Sequence, residues 1–228
     1  MIYYAGDIHG EVEAVIGVNN AARNNNIKYI IQVGDFGIRW PGRPCPIYKY
    51  FKKQNYLGNN SPIWITCGGN HDNWDKWFSL AEKQSQPNLV ELAPNCFYAQ
   101  RGVYLKIEDI GHLFLGGAES VDKHHRTEGK SWWASETPSY EEFSKFFTNL
   151  ENHKPEVVVT HDAPLFLPIA GYQRNNSPTP RNLENIIKLS SHKPTYHVYG
   201  HHHLLQEDLI DGITYKCCGL GGQYITLE

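Results

Sequence analysis

Seven side chains able to hold a cation stand just after short apolar runs. Asp7 and His9 follow Ile2-Tyr3-Tyr4-Ala5, within Gly6-Asp7-Ile8-His9-Gly10. Asp35 follows Ile30-Ile31-Gln32-Val33, within Gly34-Asp35-Phe36-Gly37. Asn70 follows Ile63-Trp64-Ile65-Thr66, within Gly68-Gly69-Asn70-His71-Asp72. His161 follows Val157-Val158-Val159-Thr160, and His201 and His203 follow Tyr196-His197-Val198-Tyr199 within Gly200-His201-His202-His203. Residues two apart on an extended segment point the same way. Asp7 with His9, and His201 with His203, can therefore share an ion, while His202 faces away and Asp162 is either a partner of His161 or a turn residue. Imidazole, carboxylate and amide together form a borderline donor set, suited to zinc, iron, manganese or nickel more than to calcium. Seven donors exceed what one transition metal with an open position needs. They suit two ions sharing one carboxylate, and Asp35, on the strand beside the first, is the expected bridge. Two ions about 3.5–4 Å apart can bind phosphate oxygens and generate a hydroxide between them.

The elements that must position these residues follow from the runs themselves. Each run reads as a short buried strand, and in open α/β sheets sites form beyond the carboxyl ends of the strands. Helices are predicted over 11–24, 48–55, 73–83, 137–150 and 181–190, the fourth opened by Thr137-Pro138 with Glu141 and Glu142 at its positive end. Further strands are predicted over 103–107 and 112–115, as a hairpin, and over 204–209, 213–217 and 223–227. The first half thus alternates strand and helix, which argues for a mostly parallel sheet, and the second half is richer in strands. No linker, repeat or low-complexity tract interrupts the 228 residues, so one domain over 1–228 is expected.

Composition narrows the function classes. A net charge of −3 gives no general attraction to nucleic acid or anionic membrane. No stretch is long and apolar enough to span a bilayer. The first predicted strand begins at residue 2, leaving no room for a signal peptide, and a cytoplasmic location is the expectation. The five cysteines make no CxxC pair or disulfide framework and read as reduced, mostly buried thiols. Histidine, at 12 residues, is the unusual component.

The blocks GDIHG, GDFG, GGNHD, TH and GHHH, in that order from Asp7 to His203, resemble the calcineurin-like metallophosphoesterase superfamily. The resemblance implies an α/β fold of two packed mixed β-sheets flanked by helices, a four-layer α/β/β/α sandwich. It implies two divalent transition metals, manganese first and iron, zinc or nickel as alternatives. One would be held by Asp7, His9, Asp35 and His203, the other by Asp35, Asn70, His161 and His201. It further implies that His71 binds no metal but protonates the leaving oxygen after attack by a metal-bridging hydroxide, with Asp72 orienting its ring. A neighbouring carboxylate can indeed fix a histidine tautomer and raise its pKa.

Departures from the pattern bear on the substrate. The serine/threonine phosphatase branch continues GDxVDRG and RGNHE. Here Ile38 replaces the aspartate, Arg39 keeps the arginine position, Trp40 replaces the glycine, and Gly68 stands where the third block carries arginine. Half of a bidentate clamp for a phosphomonoester dianion is missing. The expected substrate is therefore a phosphodiester, such as a small or cyclic nucleotide. A phosphomonoesterase acting on phosphoprotein or nucleotide is the alternative, and a nuclease or a non-catalytic module with the same fold ranks lower. Arg39 and Arg126 are the leading phosphate-binding candidates, with Lys123, His124, His125 and Arg174 behind them. Trp132 and Trp133 either stack on the substrate or pin their loop. Substrate choice is expected in loops 38–46, 119–136 and 171–180.

Overall fold

The computed structural model describes residues 1–41, 45–58, 61–85, 88–173 and 176–228. Its first half contains β1 (Tyr3–Ala5), α1 (Val12–Asn24), β2 (Tyr29–Gln32), α2 (Pro46–Tyr56), β3 (Ile63–Thr66), α3 (Trp74–Gln84), β4 (Leu89–Ala93) and β5 (Cys96–Ala99). Then follow β6 (Val103–Ile107), β7 (Ile110–Leu115), α4 (Tyr140–His153), β8 (Val157–Thr160), α5 (Pro178–Leu189), β9 (Tyr196–Tyr199), β10 (Leu205–Ile210), β11 (Ile213–Cys218) and β12 (Tyr224–Ile225). Two short 3-10 helices, Lys123–His125 and Ala134–Glu136, lie in the long connection before α4.

The strands form two six-stranded mixed sheets of matching design. In one, ordered β12-β1-β2-β3-β5-β4, the inner strands β1, β2, β3 and β5 run parallel and both edges are antiparallel. In the other, ordered β10-β11-β9-β8-β7-β6, β11, β9, β8 and β7 run parallel between antiparallel edges. The β4–β5 hairpin was not foreseen. It turns at Pro94-Asn95, with Asn95 in the left-handed region at φ +59°, a conformation asparagine tolerates better than most residues.

Alternation along each strand assembles the layers. Ile2 and Tyr4 join Val157 and Val159 in a cluster between the sheets, whereas Tyr3 and Ala5 face α1 to α3 and Val158 faces α4 and α5. The result is the expected four-layer α/β/β/α sandwich. Trp74 and Trp77 of α3 are fully buried against the first sheet; truncating either to alanine should cost about 3–5 kcal/mol. Cys217 and Cys218 fall in different clusters on opposite faces of β11, and all five thiols are free.

Helix α4 starts later than Thr137-Pro138 suggested. Ser139 caps it in a capping box, its hydroxyl accepting from the Glu142 N–H while the Glu142 carboxylate accepts from the Ser139 N–H. A proline preceding such a cap lies outside the helix. Among the described residues no helix is long and apolar enough to cross a membrane.

Candidate metal centre

The carboxyl ends of β1, β2, β3, β8 and β9 converge on one place. The turns after β1 and β2 are tied together there: the N–H groups of Ile8 and His9 both donate to the Asp35 carbonyl, at 3.1 and 2.7 Å. The turn after β9 joins them through the His201 N–H, 3.2 Å from each oxygen of Asp7. His9, Asp35, His201 and His203 all have left-handed backbones, with φ of +49°, +54°, +67° and +56°. Non-glycine residues held so cost about 1–3 kcal/mol each and cluster where surrounding structure enforces a function. Glycine is required beside them for space. A Cβ on Gly69 would lie 2.2 Å from Asp35 Oδ1, and one on Gly200 2.3 Å from Asp7 Oδ1.

Asp7, His9, Asp35 and His203 each turn one donor atom inward, all within 4.8 Å of one another. His9 Nε2 and His203 Nε2 face each other at 3.0 Å, and Asp7 Oδ2 is 3.2 Å from His203 Nε2. Two imidazole lone pairs and a carboxylate converging in this way need a cation or a shared proton between them. The donor set therefore fits a divalent transition metal.

Asp35 links this group to a second one. Its Oδ1 accepts the His71 N–H at 2.7 Å. Its Oδ2 lies 3.7 Å from His9 Nε2, 3.5 Å from His161 Nε2 and 3.9 Å from His71 Nε2. Beyond it, Asn70 Oδ1 lies 3.1 Å from both His161 Nε2 and His201 Nδ1. His161 Nδ1 is 2.8 Å from the Val33 carbonyl and donates to it, which turns Nε2 towards Asp35 and Asn70.

Electrostatics agree with this arrangement. Burial works to raise the Asp35 carboxyl, but the adjoining His161, then His71 and His9, outweigh it and hold the group well below the carboxylate range. Burial opposes charge on His161, yet Asp35 above all, with Asp7, pushes it up to about 10. The pocket thus favours positive charge next to Asp35. Burial lowers His201 to about 4, and its hydrogen bond to Asp7 raises His203.

His71 borders the same centre, half-buried, its Nε2 3.9 Å from Asp35 Oδ2. Burial lowers its pKa, Asp35 opposes and Arg126 adds to the lowering. Both Arg126 terminal nitrogens approach the ring, one against Nδ1 and the other 3.3 Å from Nε2. Asp122 aims that guanidinium, accepting from Nε and Nη2 at 2.7 Å each.

Two expectations need correction. The Asp72 carboxylate does not orient the His71 ring. It accepts the buried N–H groups of Phe36, Gly37 and Gly69, at 3.2, 2.8 and 2.8 Å. Asp72 thus ties the turn after β3 to the turn after β2, and Arg126 is the group that meets His71. Arg39, left-handed at φ +68°, donates from Nε to the Leu92 carbonyl at 2.9 Å and stacks over Tyr48 at 3.6 Å. Its contacts are structural and none is with the centre. Asp162 pairs with His202 at 3.2 Å. Lys123, His124 and His125 are exposed, and Arg174 lies outside the described residues. Trp133 is buried and packs into the core, as a loop-pinning residue would.

Other residues at the site escaped the sequence reading. Trp40 donates its indole N–H to the His71 carbonyl at 2.7 Å. With Pro41, Trp133, Arg126, Lys130 and Ser131 it lines a cleft of about 240 Å³ that opens on His71. Ser120 and Glu136 reach Asn70 from the long loop. The aromatic substitution at Trp40 was the one available signal; nothing in a polar loop marks Ser120 or Glu136.

A family model described as calcineurin-like phosphoesterase matches residues 1–205. No curated protein matches the chain. Among solved structures, TT1561 of Thermus thermophilus is similar with a TM-score of 0.60 at 14% identity, covering 97% of this chain and 89% of its own. GAP50, the anchor in the inner membrane complex of Plasmodium, is similar with a TM-score of 0.56 at 15% identity, covering 96% of this chain and 71% of its own. A hypothetical protein from Thermus thermophilus gives a TM-score of 0.51 at 14% identity, with 96% and 76% covered. At these identities the likeness concerns the fold.

Proposed function

The chain belongs to the calcineurin-like phosphoesterase family, and from that premise we propose that it is a dinuclear metal-dependent phosphodiesterase acting on a small or cyclic nucleotide. The observation that carries this reading is Asp35 Oδ2, which lies within 3.9 Å of His9, His71 and His161 and so joins two donor groups. Asp7, His9 and His203 would hold one ion with Asp35, and Asn70, His161 and His201 the other. Divalent cations there would neutralise phosphate charge and make water a nucleophile near neutral pH.

The remaining chemistry falls to the chain's own groups. His71 stands 3.9 Å from Asp35 Oδ2, at the mouth of the cleft, and would carry the proton to the leaving oxygen. Arg126, fixed by Asp122, would fork onto phosphate oxygens beside it. The cleft gives a leaving group room next to two indoles, and Gly68 removes one arm of a monoester clamp. Both features favour a diester over the phosphomonoesterase alternative.

A second reading has one observation in its favour. GAP50 shares the fold and is an anchor, so a non-catalytic module is the competing class. Hydrolysis of bis-p-nitrophenyl phosphate and p-nitrophenyl phosphate with added manganese separates the three. Diester preference that falls on the order of 1,000-fold in Asp35→Asn is expected, since that residue would serve both ions. Monoester preference would reverse the substrate order. Failure to turn over either ester, with no metal bound after dialysis against manganese, would favour the anchor.

A further inference from the structure

Asn70 differs from the other proposed ligands because the two ends of its amide are nearly the same size and only the oxygen can bind a cation. Something must decide which end faces His161 and His201. Its Nδ2 lies 3.0 Å from Ser120 Oγ. A serine hydroxyl has one proton, and here it is committed: Ser120 Oγ donates to Glu136 Oε2 at 2.7 Å. The other carboxylate oxygen, Oε1, accepts the Ser120 N–H at 2.6 Å. Ser120 can therefore only accept from Asn70, which forces the amide nitrogen outward and the carbonyl oxygen inward. All three side chains are 3% exposed or less, so no bulk water competes for these bonds.

Burying a carboxylate costs free energy unless its oxygens are paired, and Glu136 is paired on both. The surroundings hold it in place. The buried Arg101 guanidinium donates to the carbonyls of Gly116, Ser135 and Glu136, at 2.8 to 2.9 Å. Ser120 and Glu136 also sit at the two ends of the loop that carries Arg126. We infer that Glu136 and Ser120 are positioning residues for the metal centre, forming a polarised relay that presents the Asn70 oxygen to the ion shared with His161 and His201. The inference rests on the metal-centre reading above and extends it to residues that touch neither ion nor substrate.

The relay has a polarity, and a nearly isosteric substitution should invert it. In Glu136→Gln the Ser120 N–H still requires an acceptor, which the glutamine oxygen provides. The glutamine NH₂ then donates to Ser120 Oγ, the hydroxyl proton turns to Asn70, and the amide is driven to present its nitrogen inward.

The test is a titration of the whole protein with Mn²⁺ alone, followed by electron paramagnetic resonance and calorimetry, alongside thermal melts. Wild type should show two classes of site. Glu136→Gln and Ser120→Ala should weaken one class about 10- to 100-fold, the usual penalty for losing an outer partner of a ligand, and leave the other unchanged. Ser120→Thr, which keeps the hydroxyl, should restore it. Unchanged affinities in both classes, or a parallel loss of both that follows the melting temperature, would overturn the inference and leave these residues as a loop clasp. If wild type takes up no Mn²⁺, the metal-centre reading fails first and the relay falls with it.

Discussion

The two halves of the proposed centre are held in different ways. His9 and His203 have side chains 26% and 38% exposed, whereas His161 is fully buried. The exposed pair meets mainly itself and the two carboxylates. The buried half is locked from behind, His161 by the Val33 carbonyl and Asn70 by Ser120 and Glu136. The difference follows from water. A surface ligand that swings away is replaced by solvent, but a buried one leaves polar atoms with no partner, so each needs a fixed second contact.

The sharpest way to break that contrast is to remove one histidine from each half. His161→Ala should raise the Mn²⁺ dissociation constant of the buried half by at least about 100-fold, because no water readily reaches the vacated position. His203→Ala should cost on the order of tenfold, since solvent can take its place. Calorimetric titration of both variants checks the ranking, and equal losses would mean that exposure does not set the strength of the two halves.

A different readout separates His71 from the proposed ligands around it. As an acid it matters in proportion to how badly the leaving group needs a proton. His71→Asn should slow an alkyl diester by about 100-fold or more. With p-nitrophenolate, a good leaving group, the loss should shrink to about tenfold or less. Metal uptake should be unchanged. A uniform loss across leaving groups, or lost metal, would make His71 part of the metal-holding set instead.

The same contrast explains what the sequence disclosed. The proposed ligands were legible because each follows an apolar run, with a glycine between for all but His161, a local pattern that a buried strand end imposes. The strands were legible as short apolar runs, as in Val157 to Thr160, whose four residues are all buried. The β4–β5 hairpin was not, although Pro94-Asn95 is a turn signal, because Leu89–Ala93 and Cys96–Ala99 lack a clean alternation of burial. Outer partners were illegible for a stronger reason. Glu136 reaches Asn70 across 66 positions of sequence through Ser120, and Asp72 serves amides more than 30 residues away. Arg39 matched by position, yet its left-handed backbone carries the side chain to Leu92 and Tyr48. Motif spacing encodes which residues arrive at a site, while what stands behind them depends on tertiary packing.

A histidine buried away from the centre tests whether burial with fixed partners acts on its own. His112 lies between the sheets, fully buried, with Nδ1 3.0 Å from the Ile110 carbonyl and Nε2 2.7 Å from the Tyr4 hydroxyl. Both ring nitrogens are satisfied in the neutral form, and burial lowers the pKa to about 4. The unfolded chain, with a histidine pKa of about 6.5, therefore takes up this proton first as the medium is acidified. The stabilisation is complete above about pH 6.5, declines as pH falls towards about 4, and declines no further below that, a loss on the order of 3 kcal/mol. His112→Gln keeps a donor for Ile110 and an acceptor for Tyr4 but cannot titrate. Denaturant unfolding of this variant between pH 7 and pH 4.5 should show a shallower loss than wild type, with the same difference when a chelator is present. An identical acid profile would mean that burial alone does not govern this histidine, and would weaken the argument that the buried half of the centre owes its character to burial and fixed partners.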